Sequence, residues 1–398
     1  MPKNIVICCD GTGNDFDNAD TDSNVVKLYR CLTIDRNQVA YYHPGVGTMG
    51  DPTRRFWIGR QWSRIRGLAF GAGLKANVAD AYRYLMNTYE DGDRIFLIGF
   101  SRGAYTVRVL AGLIHMFGLA CAGNEGLIPY IMRLFSKWSR ASNYKIPTAT
   151  TDEAFKWGFS HSDVNIHFCG LWDTVSSYGW IYKPIKLPFE GNNPIIRTGR
   201  QAISIHERRC FYSDRLWATP GGGSTQNIRQ VWFAGVHSDV GGSYPEQECG
   251  LSKLSLEWIL VEAQNCGLRL NCDNVDIVLG RKPAAPAIPF VPAYQPPDNN
   301  AKLHKSLRHF WWIPEFWPQR NPHQTSRYYI PLGRGRTIPP GSILHQSTVT
   351  GSYMPCKLPT AWSCEPWVPW ICLCPTASPP TPTPSAIATA STPTVTEC

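Results

Sequence analysis

The sequence has no apolar run of the roughly 18 residues that a membrane-crossing helix needs, which sets aside an integral membrane protein. It has no complete G-x-x-x-x-G-K-[ST] or G-x-G-x-x-G loop, so nucleotide binding is not expected. The late cysteines Cys364, Cys372 and Cys374 lack the paired C-x-x-C spacing of a zinc site. The acidic run Asp10, Asp15, Asp17, Asp20 and Asp22 lacks the D-x-[DN]-x-[DN]-G spacing and the closing Glu of a calcium loop, and reads as solvated loop carboxylates. Met1 to Asp10 offers one Lys and a very short apolar stretch, which reads as a first β-strand and not as a secretory signal. The expected location is therefore the cytoplasm, or another cell reached by a route that needs no signal peptide.

Charge is sparse and unfocused. Charged residues make up 17% against 43% hydrophobic, which excludes wholesale disorder and leaves material for a sizeable core. The net charge of +9 is too diffuse to choose between anionic lipid and nucleic acid, and no nucleic-acid partner is expected. The 14 cysteines lie mostly alone inside apolar runs, as at Cys8, Cys9, Cys31, Cys169 and Cys210, and read as buried thiols in a reducing compartment.

What is present is an alternation of apolar runs and helical patterns over residues 1–280. Asn4–Cys9, Arg94–Phe100, Val164–Leu171 and Gln230–Val236 are apolar on both faces, as strands of a parallel sheet covered on both sides must be. Leu74–Tyr89, Arg102–Phe117 and Leu251–Ala263 carry apolar residues at helical spacing. After about Gly280 the composition turns to Pro, Ala and Trp; residues 281–374 are expected to form an extension packed on the domain, irregular over Ala301–Leu358. It holds two similar tetrapeptides, Leu303-His304-Lys305-Ser306 and Leu344-His345-Gln346-Ser347. Residues 375–398 are almost wholly Pro, Thr, Ser and Ala, a composition that reads as a disordered tail.

The chemistry centres on Gly99-Phe100-Ser101-Arg102-Gly103. The G-x-S-x-G pattern is weak alone, but here an apolar strand leads in and an amphipathic helix leads out. That is the strand–turn–helix elbow of an α/β-hydrolase nucleophile, so Ser101 is expected to attack. The implied fold is α/β, a mostly parallel central sheet flanked by helices, with cap insertions at about 120–156 and 178–225. A serine hydroxyl needs a base. His237 follows a late strand and opens a loop through Tyr244, where this fold places its base. His115, on a helix, and His167, in a strand, read better as structural histidines. Asp173 ends the run Ile166 to Trp172 and keeps the chain order Ser, Asp, His. Asp239 is the alternative acid; its plainer role is to bond the backbone of the Gly241-Gly242 turn. For the oxyanion, the backbone N–H of Arg102 is one donor, and Gly11 or Thr12, in Asp10-Gly11-Thr12-Gly13-Asn14, is the other.

Arg54 to Arg66 interleaves five Arg with aromatic and aliphatic residues. It reads as a cap segment with Arg stems lying along apolar surface, or as a patch that meets phospholipid headgroups.

These blocks together resemble a known family. Asp10 to Asn14, Gly99 to Arg108, Trp172-Asp173-Thr174-Val175 and His237 to Gly242 occur in the order found in the uncharacterised α/β-hydrolase domain family that includes the catalytic module of type VI secretion phospholipase effectors. Ile203–Arg209 with Trp217 looks like its linking segment, and the resemblance spans about residues 3–350. It implies a serine hydrolase acting on esters, phospholipids among them, without metal or organic cofactor. Two other readings remain open: an amidase or peptidase with the same triad, and a catalytically silent binding protein.

Overall fold

A computed structural model describes residues 2–11, 21–45, 67–138, 151–161, 163–175, 179–180, 183–184, 189, 191–218, 224–283, 293–320, 328–355, 359 and 361–372. Thr12, the segment Arg54 to Arg66 and the tail 375–398 lie outside the described residues.

The sheet strands are β1 (Asn4–Cys9), β2 (Gln38–His43), β3 (Arg94–Phe100), β4 (Ile166–Trp172), β5 (Ile196–Ser204), β6 (Asn227–Phe233), β7 (Ile343–His345) and β8 (Ser363–Glu365). They form one eight-stranded sheet in the order β8-β7-β6-β5-β4-β3-β1-β2, and every pairing in it is parallel. Side chains alternate strictly between its two faces. Ile5, Ile7, Ile95, Leu97, Cys169 and Leu171 join one core cluster. Val6, Cys8, Phe96, Ile98, Phe168 and Trp172 join the other. The first face is covered by α2 (Gly67–Thr88), α3 (Arg102–Phe117) and α4 (Ile128–Trp138). The opposite face is covered by α1 (Asn24–Cys31), α7 (Gly250–Asn265) and α8 (Cys272–Val278). Between α3 and β4 the chain makes α4 and α5 (Thr151–Phe159), then returns through Ser160–His161, which pair antiparallel with Leu119–Ala120. Among the described residues no helix is long and apolar enough to cross a membrane.

Three expectations need correction. The strand placed over Gln230–Val236 runs over Asn227–Phe233. Its first half is polar and half-exposed, so the apolar run marks only its buried end, and Gly235 at φ +117° takes the chain out of the sheet before Val236. The stretch 301–358 is not irregular throughout: it contains β7, which with β8 beyond it completes the sheet edge, and Leu344 packs with Ile203 and Trp232. Nor are all the cysteines thiols. Cys272, at the head of α8, is bonded to Cys372, 100 residues later, while Cys8, Cys9, Cys31 and Cys169 are buried and Cys210 half-buried as free thiols.

Candidate active site

The sheet order reverses between β1 and β3: β1 leads outward to β2, and the chain then crosses back to lay β3 on the other side. The carboxyl ends of strands at such a reversal form a crevice in which α/β folds bind ligands. Ser101, Asp173 and His237 all lie at carboxyl ends of sheet strands.

Ser101 stands between β3 and α3 with φ 57° and ψ −120°, a conformation that L-residues rarely adopt. The glycines around it are dictated by contact. A Cβ at Gly99 would stand 2.7 Å from backbone atoms of Ala104, and one at Gly103 would stand 2.0 Å from the Cys9 carbonyl oxygen. The elbow therefore sits tightly on the end of β1, with its hydroxyl over the sheet edge.

His237 is brought to that hydroxyl. Its Nε2 lies 2.8 Å from Ser101 Oγ, and its Nδ1 lies 2.5 Å from Asp173 Oδ2. Asp173 leaves β4 at φ 39°, which turns its carboxylate across the strand ends. Its Oδ1 accepts the Ser204 N–H at 2.9 Å, at the end of β5. The imidazole lies between two rings, stacked on Phe100 at 4.7 Å and edge-on to Tyr212 at 4.8 Å. Ser101 and His237 are 6% and 4% exposed, so the pair meets in a largely dry setting.

Electrostatics follow from that burial. Desolvation raises the Asp173 carboxyl but is overcome by the charge of Arg336 and the His237 bond, so Asp173 ends well below the usual carboxylate range. For His237 desolvation wins over the attraction of Asp173, and the imidazole is held below its ordinary value. It is therefore neutral near pH 7, as a proton acceptor must be.

His237 does not open a loop. It begins the short helix α6 (His237–Gly241), because Asp239 Oδ2 accepts the Val236 N–H at 3.0 Å and folds the turn. Asp239 is thereby turned away from the His237 ring. It meets His304 instead, with Oδ1 2.6 Å from Nδ1 and Oδ2 accepting the His304 N–H at 3.2 Å. It bonds the backbone at Val236 and His304, not the Gly241-Gly242 turn.

Gly11 lies where it is expected, its missing side chain leaving room 3.2 Å from Ser101 Cβ. Its N–H, however, donates to Asp10 Oδ1 at 2.6 Å, so it is not aimed at a ligand. Arg102 opens α3 directly after Ser101, with its backbone N–H at the positive end of the helix dipole. His167 Nε2 lies 2.8 Å from the Cys266 carbonyl, and the His115 ring packs edge-on to Phe189 at 4.3 Å, whereas the Ser101 hydroxyl meets His237.

Sequence reasoning missed the groups behind His237. Glu207 Oε2 accepts the His237 N–H at 3.2 Å, while both its oxygens hold Arg209. Burial raises Glu207, but the charges of Arg209 and Arg336 bring it down to about 2. The Arg209 guanidinium lies over the rings of Tyr212 at 3.6 Å and Trp311 at 5.0 Å. From the extension, Ser306 Oγ donates to Glu207 at 2.8 Å and Arg336 reaches Asp173. No local pattern announces Ser306 and Arg336, which reach Glu207 and Asp173 from 99 and 163 residues away.

An uncharacterised protein of Saccharomyces cerevisiae, YEL023C, is 37% identical over 228 residues, 55% of this chain and 33% of that protein. The chain thus spans about a third of that relative's length. The crystal structure of an uncharacterised protein from Pseudomonas aeruginosa is similar over 74% of this chain and 49% of that one, at 19% identity and a TM-score of 0.41. Residues 3–262 match the family described as the type VI secretion system (T6SS) phospholipase effector Tle1-like catalytic domain, and the chain belongs to that family.

Proposed function

We propose that the protein is a serine hydrolase that cleaves carboxylic esters, with phospholipids as the substrate class. The observation that carries this reading is the file of bonds from Asp173 Oδ2 to His237 Nδ1 and from His237 Nε2 to Ser101 Oγ.

In this reading Ser101 Oγ attacks the ester carbonyl carbon as His237 Nε2 takes its proton. Asp173 holds the tautomer with the proton on Nδ1 and stabilises the imidazolium that forms. The carbonyl oxygen, now negative, is received by the Arg102 N–H at the head of α3. The Gly11 N–H is turned to Asp10 and takes no part in this reading. Loss of one such donor typically costs about 10²–10³ in turnover. The intermediate collapses, and His237 returns the proton to the departing alcohol. Water, deprotonated by His237, then attacks the acyl-Ser101 ester, releases the acid and restores the hydroxyl.

A lipid surface suits the molecule's exterior. Ile313, Phe316, Trp317 and Leu332 are 50–68% exposed, and Lys305, Arg308 and Arg334 beside them are exposed cations. Trp311, in the same segment, packs edge-on to Tyr212, which in turn faces His237. An apolar, basic rim so placed would seat the site on an anionic membrane.

The test is a fluorophosphonate probe together with a panel of short-chain esters and phospholipid vesicles. Wild type should label covalently and hydrolyse, and Ser101→Ala should do neither while unfolding at the same temperature. Equal activity in Ser101→Ala removes the mechanism; labelling without phospholipid turnover removes the lipid substrate alone.

A further inference from the structure

Arg336 lies 74 residues beyond the last residue matched to the family, yet its side chain is buried against the candidate acid. Its guanidinium grips both carboxylate oxygens of Asp173, Nη1 to Oδ1 at 2.5 Å and Nη2 to Oδ2 at 3.0 Å. Nη1 also donates to Ser204 Oγ at 2.8 Å and to the Ser204 carbonyl at 3.0 Å, and Nη2 donates to the Tyr212 carbonyl at 2.5 Å. The fork is thus anchored to β5 and to the loop that carries Tyr212, and is not a side chain that happens to find a carboxylate.

The geometry has two consequences. Without Arg336, Asp173 would keep one bond on each oxygen, to His237 at Oδ2 and to the Ser204 N–H at Oδ1, about a terminal torsion that is broad and roughly two-fold and so leaves it some freedom. A planar fork bonded to both oxygens removes that freedom. Oδ2 is shared between Arg336 and His237, so whatever fixes the carboxylate plane fixes the direction in which the imidazole is held. The second consequence is electrostatic. A buried carboxylate beside an imidazole draws a proton onto it, and a guanidinium on the carboxylate's far side offsets that pull.

We propose that Arg336 is a positioning residue of the ester-cleaving site: its fork sets the orientation of Asp173, and its charge, added to the desolvation of His237, offsets the carboxylate's pull on a proton. The inference rests on the Ser101, His237 and Asp173 reading above. Charged groups that face this constellation are Glu207 and Arg209 after β5, Asp214 beyond Tyr212, and Asp173 and Arg336 themselves. Glu207 and Arg209 pair with each other, which leaves Arg336 as the cation in direct contact with Asp173.

The experiment measures the rate of fluorophosphonate labelling and of soluble-ester hydrolysis across pH in the full chain. Arg336→Gln should lower kcat by up to about 10²-fold with KM little changed. It should also move the acid limb of kcat/KM upward by about one pH unit or more, because the uncompensated carboxylate raises the imidazole's affinity for protons. Arg336→Lys keeps the charge and loses the fork, so kcat should fall while the acid limb stays near its wild-type position. Ser204→Ala loosens the fork without changing charge and should give a smaller loss of kcat with the limb unmoved. Should Arg336→Gln fail to fold, the last two variants still decide the positioning role, and an acid limb that moves upward in the charge-keeping Arg336→Lys overturns the electrostatic one. A folded Arg336→Lys or Ser204→Ala with wild-type kcat overturns the positioning role, and an acid limb unmoved in a folded Arg336→Gln overturns the electrostatic one. Wild type that neither labels nor hydrolyses overturns the hydrolase reading itself, and is told apart from the preceding outcomes by the missing wild-type signal.

Discussion

Gly103 rests on Cys9: a methyl group at the first turn of α3 would stand 2.0 Å from the carbonyl oxygen that ends β1. No rotation relieves that contact, because the obstacle is sheet backbone. Gly103→Ala should therefore cost about 1–3 kcal/mol or more, although alanine favours helices by about 1 kcal/mol elsewhere. Urea unfolding should show the loss. Labelling of Ser101 should fall with it, since the helix can only move by carrying the elbow away from His237.

Burial lowers the affinity of His237 for protons, against the pull of Asp173. In the proposed mechanism His237 serves as a base, which works when neutral, so activity should rise as pH climbs through a value below the ordinary histidine pKa of about 6.5. A pH profile of kcat/KM on a soluble ester checks this. An acid limb clearly above that value contradicts the desolvated setting described for the imidazole.

Glu207 holds the His237 backbone N–H and Arg209 together. Glu207→Gln keeps the shape but leaves Arg209 buried without its counter-charge, a change that costs about 3–5 kcal/mol. The sign with pH is fixed by the carboxyl being depressed to about 2 in the folded chain, from an ordinary value of 4.5. Its contribution is complete above about pH 5 and is lost as pH falls toward 2. The stability gap between wild type and variant should thus narrow on acidification. A constant gap from pH 7 to pH 3 contradicts this account.

The Cys272–Cys372 bond closes a separation of 100 residues and ties α8 to the chain beyond β8. Replacing both cysteines with serine should lower stability by about 2–5 kcal/mol. Neither cysteine is near Ser101's partners, so hydrolysis at low temperature should survive. Thermal unfolding with and without a reductant, wild type against variant, measures the effect: the reductant should lower the midpoint of wild type alone.

Phe316→Ala with Trp317→Ala removes exposed apolar area from the rim without touching the groups around His237. Binding to anionic vesicles should weaken, and hydrolysis of a soluble short-chain ester should not change. Equal vesicle binding by wild type and the double variant would remove this surface from the proposed lipid contact.

Legibility of the sequence followed burial. The limits of β1, β3 and α3 are plain in it, because each is almost wholly buried and so is mainly apolar between its ends. The strand before His237 was misplaced by three residues at each end, because its leading half is polar at a half-exposed position. β7 and β8 were invisible: three residues each, they are strands only because the sheet edge beside β6 is there to pair with. The elbow could be read because steric demands within five consecutive residues leave their mark on those residues. His237 and Asp173 were suggested by position after strands. The extension's His304 and Ser306 stand in one of its two similar tetrapeptides, but nothing there tells which groups they meet, and Arg336 carries no mark at all.

Sequence by itself determined the alternation of buried strands and helices, the elbow with its two glycines, and the order in which hydroxyl, carboxylate and imidazole follow one another. Those features are local, so short-range sterics and periodicity write them directly into neighbouring residues. Only the tertiary structure decided that Asp239 turns to His304, that Gly11 gives its N–H to Asp10, and that an arginine 163 residues beyond Asp173 completes that carboxylate's bonds. A buried charge accepts whichever counter-charge the packed sheet brings within about 3 Å, and separation along the chain places no constraint on which one that is.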